Sequence, residues 1–276
     1  MGKFDGKQIT GVLGNHVIKK AAGGKGSIIQ MKPVVVKQTA ETKKAASVMG
    51  NASTLSAAIR RNLGRLFVKN YQGTMINQLN KANQTILGHC FNKDTETYSF
   101  QQDSFHNLEG FEFNTKSPLA AYLWVQPTIA LQGNTLTLTI PAFEIPAQIK
   151  IPKEATGFAM GVQIGQYVLH ESKKWRDNYF NLEIADGQTQ VPEQQISFEV
   201  QNGCLCVVGL GIQYHKISNQ YKTPLNHKDL NPAAIVGTIV TPGDFVEPAP
   251  LVVGGRHRAP EWTLMDKLKL KKGHID

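Results

Sequence analysis

The stretch ISFEVQNGCLCVVGLGIQYH, residues 196–215, indicates the fold class most directly. Ile196, Phe198 and Val200 alternate with polar residues, which is typical of a strand with one buried face. The Asn202-Gly203 pair that follows is a common two-residue turn, and the run after it is largely apolar. The stretch therefore predicts an antiparallel β-hairpin with a two-residue loop.

Other parts of the second half show the same pattern. Leu136, Leu138 and Ile140 alternate with threonines, directly after the turn signal Gly133-Asn134. Further strand candidates are residues 119–126, 145–151, 158–169 and 234–240. Short strands separated by turns, without helical patterns between them, favour antiparallel packing over a parallel sheet. We therefore predict an α+β protein with an antiparallel, Ig-like β-sandwich in residues 89–240.

Residues 39–88 have a helical pattern instead. Apolar residues recur at spacings of three and four, at Val48, Ala52, Leu55, Ile59, Leu63, Leu66 and Phe67, and again at Tyr71, Met75, Leu79, Ala82 and Ile86. Arg61 and Arg65 fall on the side of the first stretch opposite its apolar residues. The pattern predicts one or two long helices, with residues 70–73 either separating them or bending one helix.

Positive charge is concentrated at the N-terminus. The first 69 residues contain thirteen Lys or Arg and two acids, Asp5 and Glu41, a net +11 in a chain of net +9. The other 207 residues therefore sum to −2. Glycines before Thr39 argue against a helix there. We predict a basic, Gly-rich arm at residues 1–38, either flexible or ordered as short strands against a partner, and we expect the partner to contact this segment.

The C-terminal part, residues 241–276, is predicted to be a Pro-rich linker followed by a basic tail. Residues 241–261 contain several prolines and no periodicity, which is typical of a linker or an extended surface segment. The last fifteen residues, WTLMDKLKLKKGHID, have an amphipathic pattern. Trp262, Met265 and Leu268 could lie together, with Lys267 and nearby lysines facing water.

No reaction is indicated by the sequence. The three cysteines, Cys90, Cys204 and Cys206, are too few for a disulfide framework and are expected to be structural thiols. The eight histidines have no metal-ligand spacing, and the Gly-x-Ser-x-Gly motif of hydrolases is absent. We therefore expect a non-enzymatic protein with no catalytic residues, no metal, no cofactor and no small-molecule substrate.

Targeting signals are also missing from the sequence. The first twenty residues lack the apolar stretch of a signal peptide. No run of about 18 apolar residues predicts a membrane span. We expect a cytoplasmic protein, although export without a classical signal is compatible with the same sequence.

Two functional hypotheses follow from the basic segment, beside the plain alternative of a solvated charged face. In the first, the chain is a structural protein that forms a homo-oligomer or filament, and its arm adds to a neighbour's sheet. The candidate assembly residues are Ile28, Ile29, Val34, Val35, Val36, Trp262, Met265 and Leu268. In the second, the chain binds nucleic acid phosphates through its cations. These cations are Lys19, Lys20, Lys25, Lys43, Lys44, Arg60, Arg61 and Arg65.

The same residues carry a resemblance to a family. The segment GVLGNHVIKKAAGGKGSIIQMKPVVVKQTAETKKAASVMGNASTLSAAIR, residues 11–60, resembles Bacteroidota proteins that contain a domain of unknown function. Shared elements are Gly-x-x-Gly-Asn-x-Val, a Gly-Lys, a Lys-Pro and a Thr-rich entry to an Ala-rich helix. Residues 145–169 and 207–240 are similar as well. The resemblance implies a basic N-terminus, helices and a β-rich C-terminal half, with no established activity and no catalytic residues.

Overall fold

A computed structural model describes residues 3–4, 6, 8–21, 26–32, 39–68, 70–175, 178–184, 187–248, 252–253, 256–257 and 262–273. The chain divides into two units, Met1–Ala45 and Ala46–Asp276. Its helices and mostly antiparallel sheets make it an α+β protein, as predicted.

The elements have the following bounds. The helices are α1 (Ala40–Asn62), α2 (Gly64–Phe67) and α3 (Met75–His89), with 3-10 helices at His106–Leu108 and Leu119–Ala121. The strands of the first unit are β1 (Lys3–Phe4), β2 (Ile9–Leu13), β3 (His16–Lys20) and β4 (Ser27–Met31). Those of the second unit are β5 (Phe91–Asn92), β6 (Thr97–Tyr98), β7 (Thr128–Gln132), β8 (Thr135–Ile140), β9 (Phe143–Glu144), β10 (Gly157–Val168), β11 (Lys173–Trp175), β12 (Asn178–Ile184), β13 (Gln190–Val191), β14 (Gln194–Glu199), β15 (Leu205–Ser218), β16 (Tyr221–Pro224), β17 (Ala233–Val240), β18 (Val252–Val253), β19 (Arg256–His257) and β20 (Trp262–Leu264).

The helical prediction is confirmed: the first apolar stretch covers α1 and the short α2, and most of the second lies on α3. Ala52, Leu55 and Ile59 of α1 are buried, and so are Leu79 and Ile86 of α3. A turn before Met75 separates the helices. Their apolar sides pack into one cluster because residues spaced by three and four lie on the same side of a helix.

The long strands β10 and β15 form the centre of the second unit. They pair antiparallel over eleven residue pairs, with β12 beside β10 and β17 beside β15. Every residue of β10 is buried. One side of this sheet packs on the three-stranded sheet β14-β8-β7, and the other side packs on the helices. The Ig-like form of the sandwich is not confirmed, since helices cover a sheet face that would be solvated in an Ig domain.

Two glycines allow the helices to approach the central sheet. A Cβ at Gly209 would lie 2.5 Å from Leu66 Cδ1, and one at Gly211 would lie 3.2 Å from the Leu66 carbonyl oxygen. The close approach therefore requires a strand without side chains at these two positions. This explains why the apolar run of β15 is interrupted by glycine.

The predicted hairpin over residues 196–215 is wrong. β14 pairs with β8, whereas β15 pairs with β10 and β17, so the chain crosses between the two sheets after β14. Gln166 of β10 holds the crossing: its Nε2 donates to the Glu199 carbonyl at 3.0 Å, and the Gln201 N–H donates to its Oε1 at 3.0 Å. A turn signal predicts a reversal of direction, but the pairing is decided by which core each strand contacts.

Two other sequence predictions have opposite outcomes. The strand predicted after the Gly133-Asn134 turn is confirmed as β8, which pairs with β7 and has Leu136, Leu138 and Ile140 fully buried. The predicted strands at 119–126 and 145–151 are wrong, because the first begins as a 3-10 helix and the two segments meet at an isolated bridge between Leu123 and Ile149.

The C-terminal segment belongs to the core of its own chain. β20 pairs with β11, and the buried side chains of the segment are Trp262, Met265, Leu268 and Leu270. The Asn51 side chain makes two hydrogen bonds to the backbone of Lys269 in this segment. Its Nδ2 donates to the Lys269 carbonyl at 3.0 Å, and the Lys269 N–H donates to its Oδ1 at 2.8 Å. The three candidate assembly residues of this tail are therefore covered by their own chain.

Candidate assembly surface

The first unit contains a sheet without a core. Strands β1 to β4 follow one another as an antiparallel meander. Among the residues of Met1–Ala45 that the structure describes, none is buried. Small sheets normally need an apolar face packed on another element to be stable. This sheet, which we call the N-terminal sheet, therefore exposes the groups that would form a core elsewhere.

A tight turn aligns its central strands. Gly14-Asn15 connects β2 to β3, and Gly14 has a φ of 55°, a conformation that glycine adopts without steric cost. The turn pairs Leu13 with His16, and β3 then pairs Ile18 with Ile29 of β4. Residues paired across antiparallel strands point to the same side, so this register decides which side chains share a face.

One face of the sheet presents large apolar side chains. Leu13, Ile18, Ile29 and Met31 lie on it, together with His16 and Lys20. Leu13, Ile29 and Met31 are 57%, 64% and 76% exposed. We call this set the apolar face. An apolar cluster this open is typical of a surface that another molecule covers.

The opposite face is more polar and less open. Lys19 and Gln30 lie there beside Val12, Val17 and Ile28. Val12 is 37% exposed and Ile28 is 45% exposed. Each strand therefore alternates between the two faces, and the larger exposed apolar area belongs to the apolar face.

β4 forms the far edge of the N-terminal sheet. All five of its residues are exposed, including the candidate assembly residues Ile28 and Ile29, which point to opposite faces. An edge strand has unpaired backbone groups on its outer side, where another strand can add. The other predicted arm residues, Val34, Val35 and Val36, lie outside the described residues.

The basic residues predicted to bind nucleic acid are divided between the two units, and the described ones of the first unit are divided between the two faces of its sheet and the start of α1. Lys19 and Lys20 point to opposite faces of the N-terminal sheet, Lys43 and Lys44 lie near the start of α1, and Lys25 lies outside the described residues. In the second unit Arg61 is exposed, whereas the Arg65 guanidinium lies 5.7 Å from the Tyr179 ring centroid. Burial lowers the pKa of Arg60, which is half-buried.

The cysteines are poor nucleophiles in this structure. Cys204 and Cys206 are fully buried, as expected for structural thiols. Burial raises the pKa of Cys204 to about 12 and also raises that of Cys206 and of half-buried Cys90. A thiol, unlike a thiolate, is a weak nucleophile. Among the described residues, no group of three or more His, Cys, Asp and Glu side chains is placed to hold a metal ion.

A cavity of about 510 Å³ lies in the second unit, between the segment after β6, the end of β10 and the turn after β17. Its lining includes Tyr98, Phe100, His170, Glu171, Asp244 and Lys272. His170 Nδ1 lies 3.2 Å from the Leu270 carbonyl, and burial lowers the pKa of the imidazole. Lys272 pairs with Asp244, and Glu171 pairs with Lys173. These charges are already paired, so they do not indicate a class of ligand.

Glu112 is a partly buried carboxyl with a structural role. It accepts a hydrogen bond from the Leu119 N–H at 2.8 Å and a longer one from the Ala120 N–H at 3.4 Å. Burial raises its pKa to about 7, and the two N–H groups oppose this shift. A carboxyl with a raised pKa in the folded state stabilises the fold fully below its unfolded pKa, near 4.5. That contribution is lost as the pH rises through about 7.

We expect the thermal stability of the protein to fall between pH 5 and pH 8 in part because of this group. Glu112→Gln keeps an acceptor for the backbone and removes the titration, so the variant should lose less stability over that range than the wild type. Melting temperatures at both pH values measure the difference. Glu144→Gln, at an exposed glutamate, is the control. Equal pH profiles for Glu112→Gln and wild type would contradict this role.

Comparison with known proteins gives no further guide to these surfaces. The chain matches no protein-family model, no curated protein and no solved structure. No helix among the described residues is long and apolar enough to cross a membrane. The function is therefore inferred from the geometry of the N-terminal sheet and of the second unit.

Proposed function

We propose that this chain is a non-enzymatic structural subunit that self-associates, and that its basic N-terminal region docks on neighbouring copies. The observation that supports the proposal is the N-terminal sheet, which exposes Leu13, Ile29 and Met31 on one face and buries none of its described residues. A docking partner would supply the apolar contact that the sheet lacks.

Stable association between copies requires the burial of several apolar side chains rather than of one. Complete burial of one large apolar side chain contributes about 1.5–3 kcal/mol. Micromolar association corresponds to about 8 kcal/mol, after the cost of ordering the partners. Several side chains must therefore be covered together. The apolar face offers them in one plane, and the exposed pair Phe4–Ile9 on β1 and β2 adds to the available area.

The second unit is able to fold without the N-terminal sheet. Among the residues that the structure describes, none before Val48 belongs to either apolar cluster. Deleting residues 1–38 therefore removes the exposed apolar side chains of the N-terminal sheet and none of the described core residues. The deletion separates assembly from folding.

We expect the full chain to assemble into multiples of its 30.4 kDa mass and residues 39–276 to be a folded monomer. Sedimentation or light scattering over a range of concentrations measures the mass, and circular dichroism with thermal unfolding confirms that both forms are folded. The same assembly state for both forms would contradict the proposal. So would a full chain that stays monomeric at all concentrations.

The nucleic-acid alternative makes a different prediction in the same samples. It requires a full chain that binds DNA or RNA with an affinity that falls steeply with salt. A chain that assembles and shows no salt-dependent binding to either favours the structural function.

A further inference from the structure

A second surface has the properties needed to receive the N-terminal sheet. In the second unit, a groove of about 590 Å³ lies between β7, β17 and the segment around the 3-10 helix His106–Leu108. Its apolar residues are Pro127, Ile129, Val236 and Ile239, and its acidic residues are Asp103 and Glu109. We call it the β7–β17 groove. Pro127, Ile129 and Val236 are only half-buried, so apolar area in the groove is open to a partner.

The charge of this groove is negative. No Lys or Arg lines it among the residues that the structure describes. Glu109 is held in place, because its Oε1 accepts hydrogen bonds from the Thr238 N–H at 3.0 Å and from the Thr238 hydroxyl at 3.2 Å. Asp103 is exposed. A partner with apolar side chains and lysines matches this combination.

The groove also adjoins a strand edge. β7 pairs with β8 and forms the edge of the three-stranded sheet β14-β8-β7. Its first residues, Thr128 and Ile129, line the groove. An edge strand can accept a further strand through its backbone, and β4 of the N-terminal sheet is itself an edge.

Charge favours one of two ways of pairing copies. Residues 1–45 contain nine lysines and two acids, a net +7, whereas the second unit, residues 46–276, is nearly neutral at a net +2 and carries Asp103 and Glu109 in its groove. Two N-terminal sheets facing each other would bring +7 against +7. A sheet in the groove of another copy would instead bring opposite charges together.

We propose that copies of this chain associate head to tail, with the N-terminal sheet of one copy bound in the β7–β17 groove of the next. This inference rests on the proposed self-association and adds its partner surface. A head-to-tail contact uses two different surfaces of each copy. It therefore generates an open filament or a closed ring, and the smallest ring is a dimer in which two copies exchange their N-terminal sheets.

Complementation between two variants tests the inference. Ile29→Lys places a charge on the apolar face. The double variant Asp103→Lys with Glu109→Gln removes the negative charge of the groove, while the amide introduced by Glu109→Gln keeps an acceptor for Thr238. Alone, Ile29→Lys should associate at least about a hundredfold more weakly than wild type, and the groove variant at least about tenfold more weakly.

Mixed in equal amounts, the two variants should form a 1:1 dimer. The intact groove of the first variant binds the intact sheet of the second, and the remaining two surfaces are blocked. Sedimentation of the separate and mixed samples gives their masses.

The control is Asp94→Lys, which changes an exposed acid on the β5–β6 turn, outside the residues that line the groove. It should assemble as wild type does. Thermal unfolding of each variant establishes that it is folded.

Three other outcomes would each contradict one part of the proposal. If the wild type assembles and the folded groove variant assembles equally well, the groove is not the partner surface. If both variants are monomeric and their mixture is too, the contact is not head to tail. A monomeric wild type instead contradicts the proposed self-association itself.

Discussion

A chain shortened to residues 1–261 is expected to lose its cooperative thermal transition. The deletion removes Trp262, Met265, Leu268 and Leu270, all buried in the second unit. At about 1.5–3 kcal/mol for each buried side chain, the loss is about 6–12 kcal/mol. Domains are stable by about 5–15 kcal/mol in total. The shortened chain should therefore be unfolded or only loosely packed, as differential scanning calorimetry or near-UV circular dichroism would show.

A point variant makes the same test without shortening the chain. Asn51→Ala removes both hydrogen bonds to the Lys269 backbone and leaves a donor and an acceptor without this partner. We expect a loss of about 1–3 kcal/mol, measured as a lower melting temperature or denaturation midpoint.

The control for the C-terminal deletion is the deletion of residues 1–38, which should keep the wild-type transition because no described residue before Val48 belongs to an apolar cluster. A full transition in the chain of residues 1–261 would contradict the structural role of the tail. It would return Trp262, Met265 and Leu268 to the set of candidate docking residues.

Local patterns in the chain predict individual helices and strands, whereas the pairing of strands depends on residues far apart in the sequence. The spacing of Leu55, Ile59 and Leu79 predicts their burial in helices, since the period of a helix is a property of the chain itself. The alternation in residues 196–200 predicts a strand for the same reason. It does not indicate that β14 pairs with β8, because pairing depends on residues about sixty positions away.

The sequence predicts the candidate site only in part. Ile28 and Ile29 stand out as apolar residues of a basic segment, and the structure places both in an exposed edge strand. The four-stranded sheet is not predicted, because the many glycines favour a flexible arm. Gly14-Asn15 between two short apolar runs is the signal for a hairpin. The β7–β17 groove joins three segments that are far apart in the sequence, so no local pattern predicts it.

Replacement of Ile29 by lysine is expected to abolish assembly while the second unit remains folded. Ile29 is 64% exposed at the centre of the apolar face, paired with Ile18. In an assembled state the lysine would either lose its hydration or hold the face away from its partner. Loss of the apolar contact and the cost of the charge together exceed about 3 kcal/mol, which corresponds to at least about a hundredfold weaker association.

Gln30→Lys is the matched control for this variant. It adds the same charge at the next position of β4, but the side chain points to the opposite face. The two variants have the same net charge, and both replace an exposed residue of β4. They differ in the face of the sheet that carries the new lysine. Sedimentation over a range of concentrations should give a monomer for Ile29→Lys and the wild-type mass for Gln30→Lys. If both variants dissociate, the added charge rather than the face controls assembly. If Gln30→Lys alone dissociates, the opposite face makes the contact. Either result contradicts docking through the apolar face.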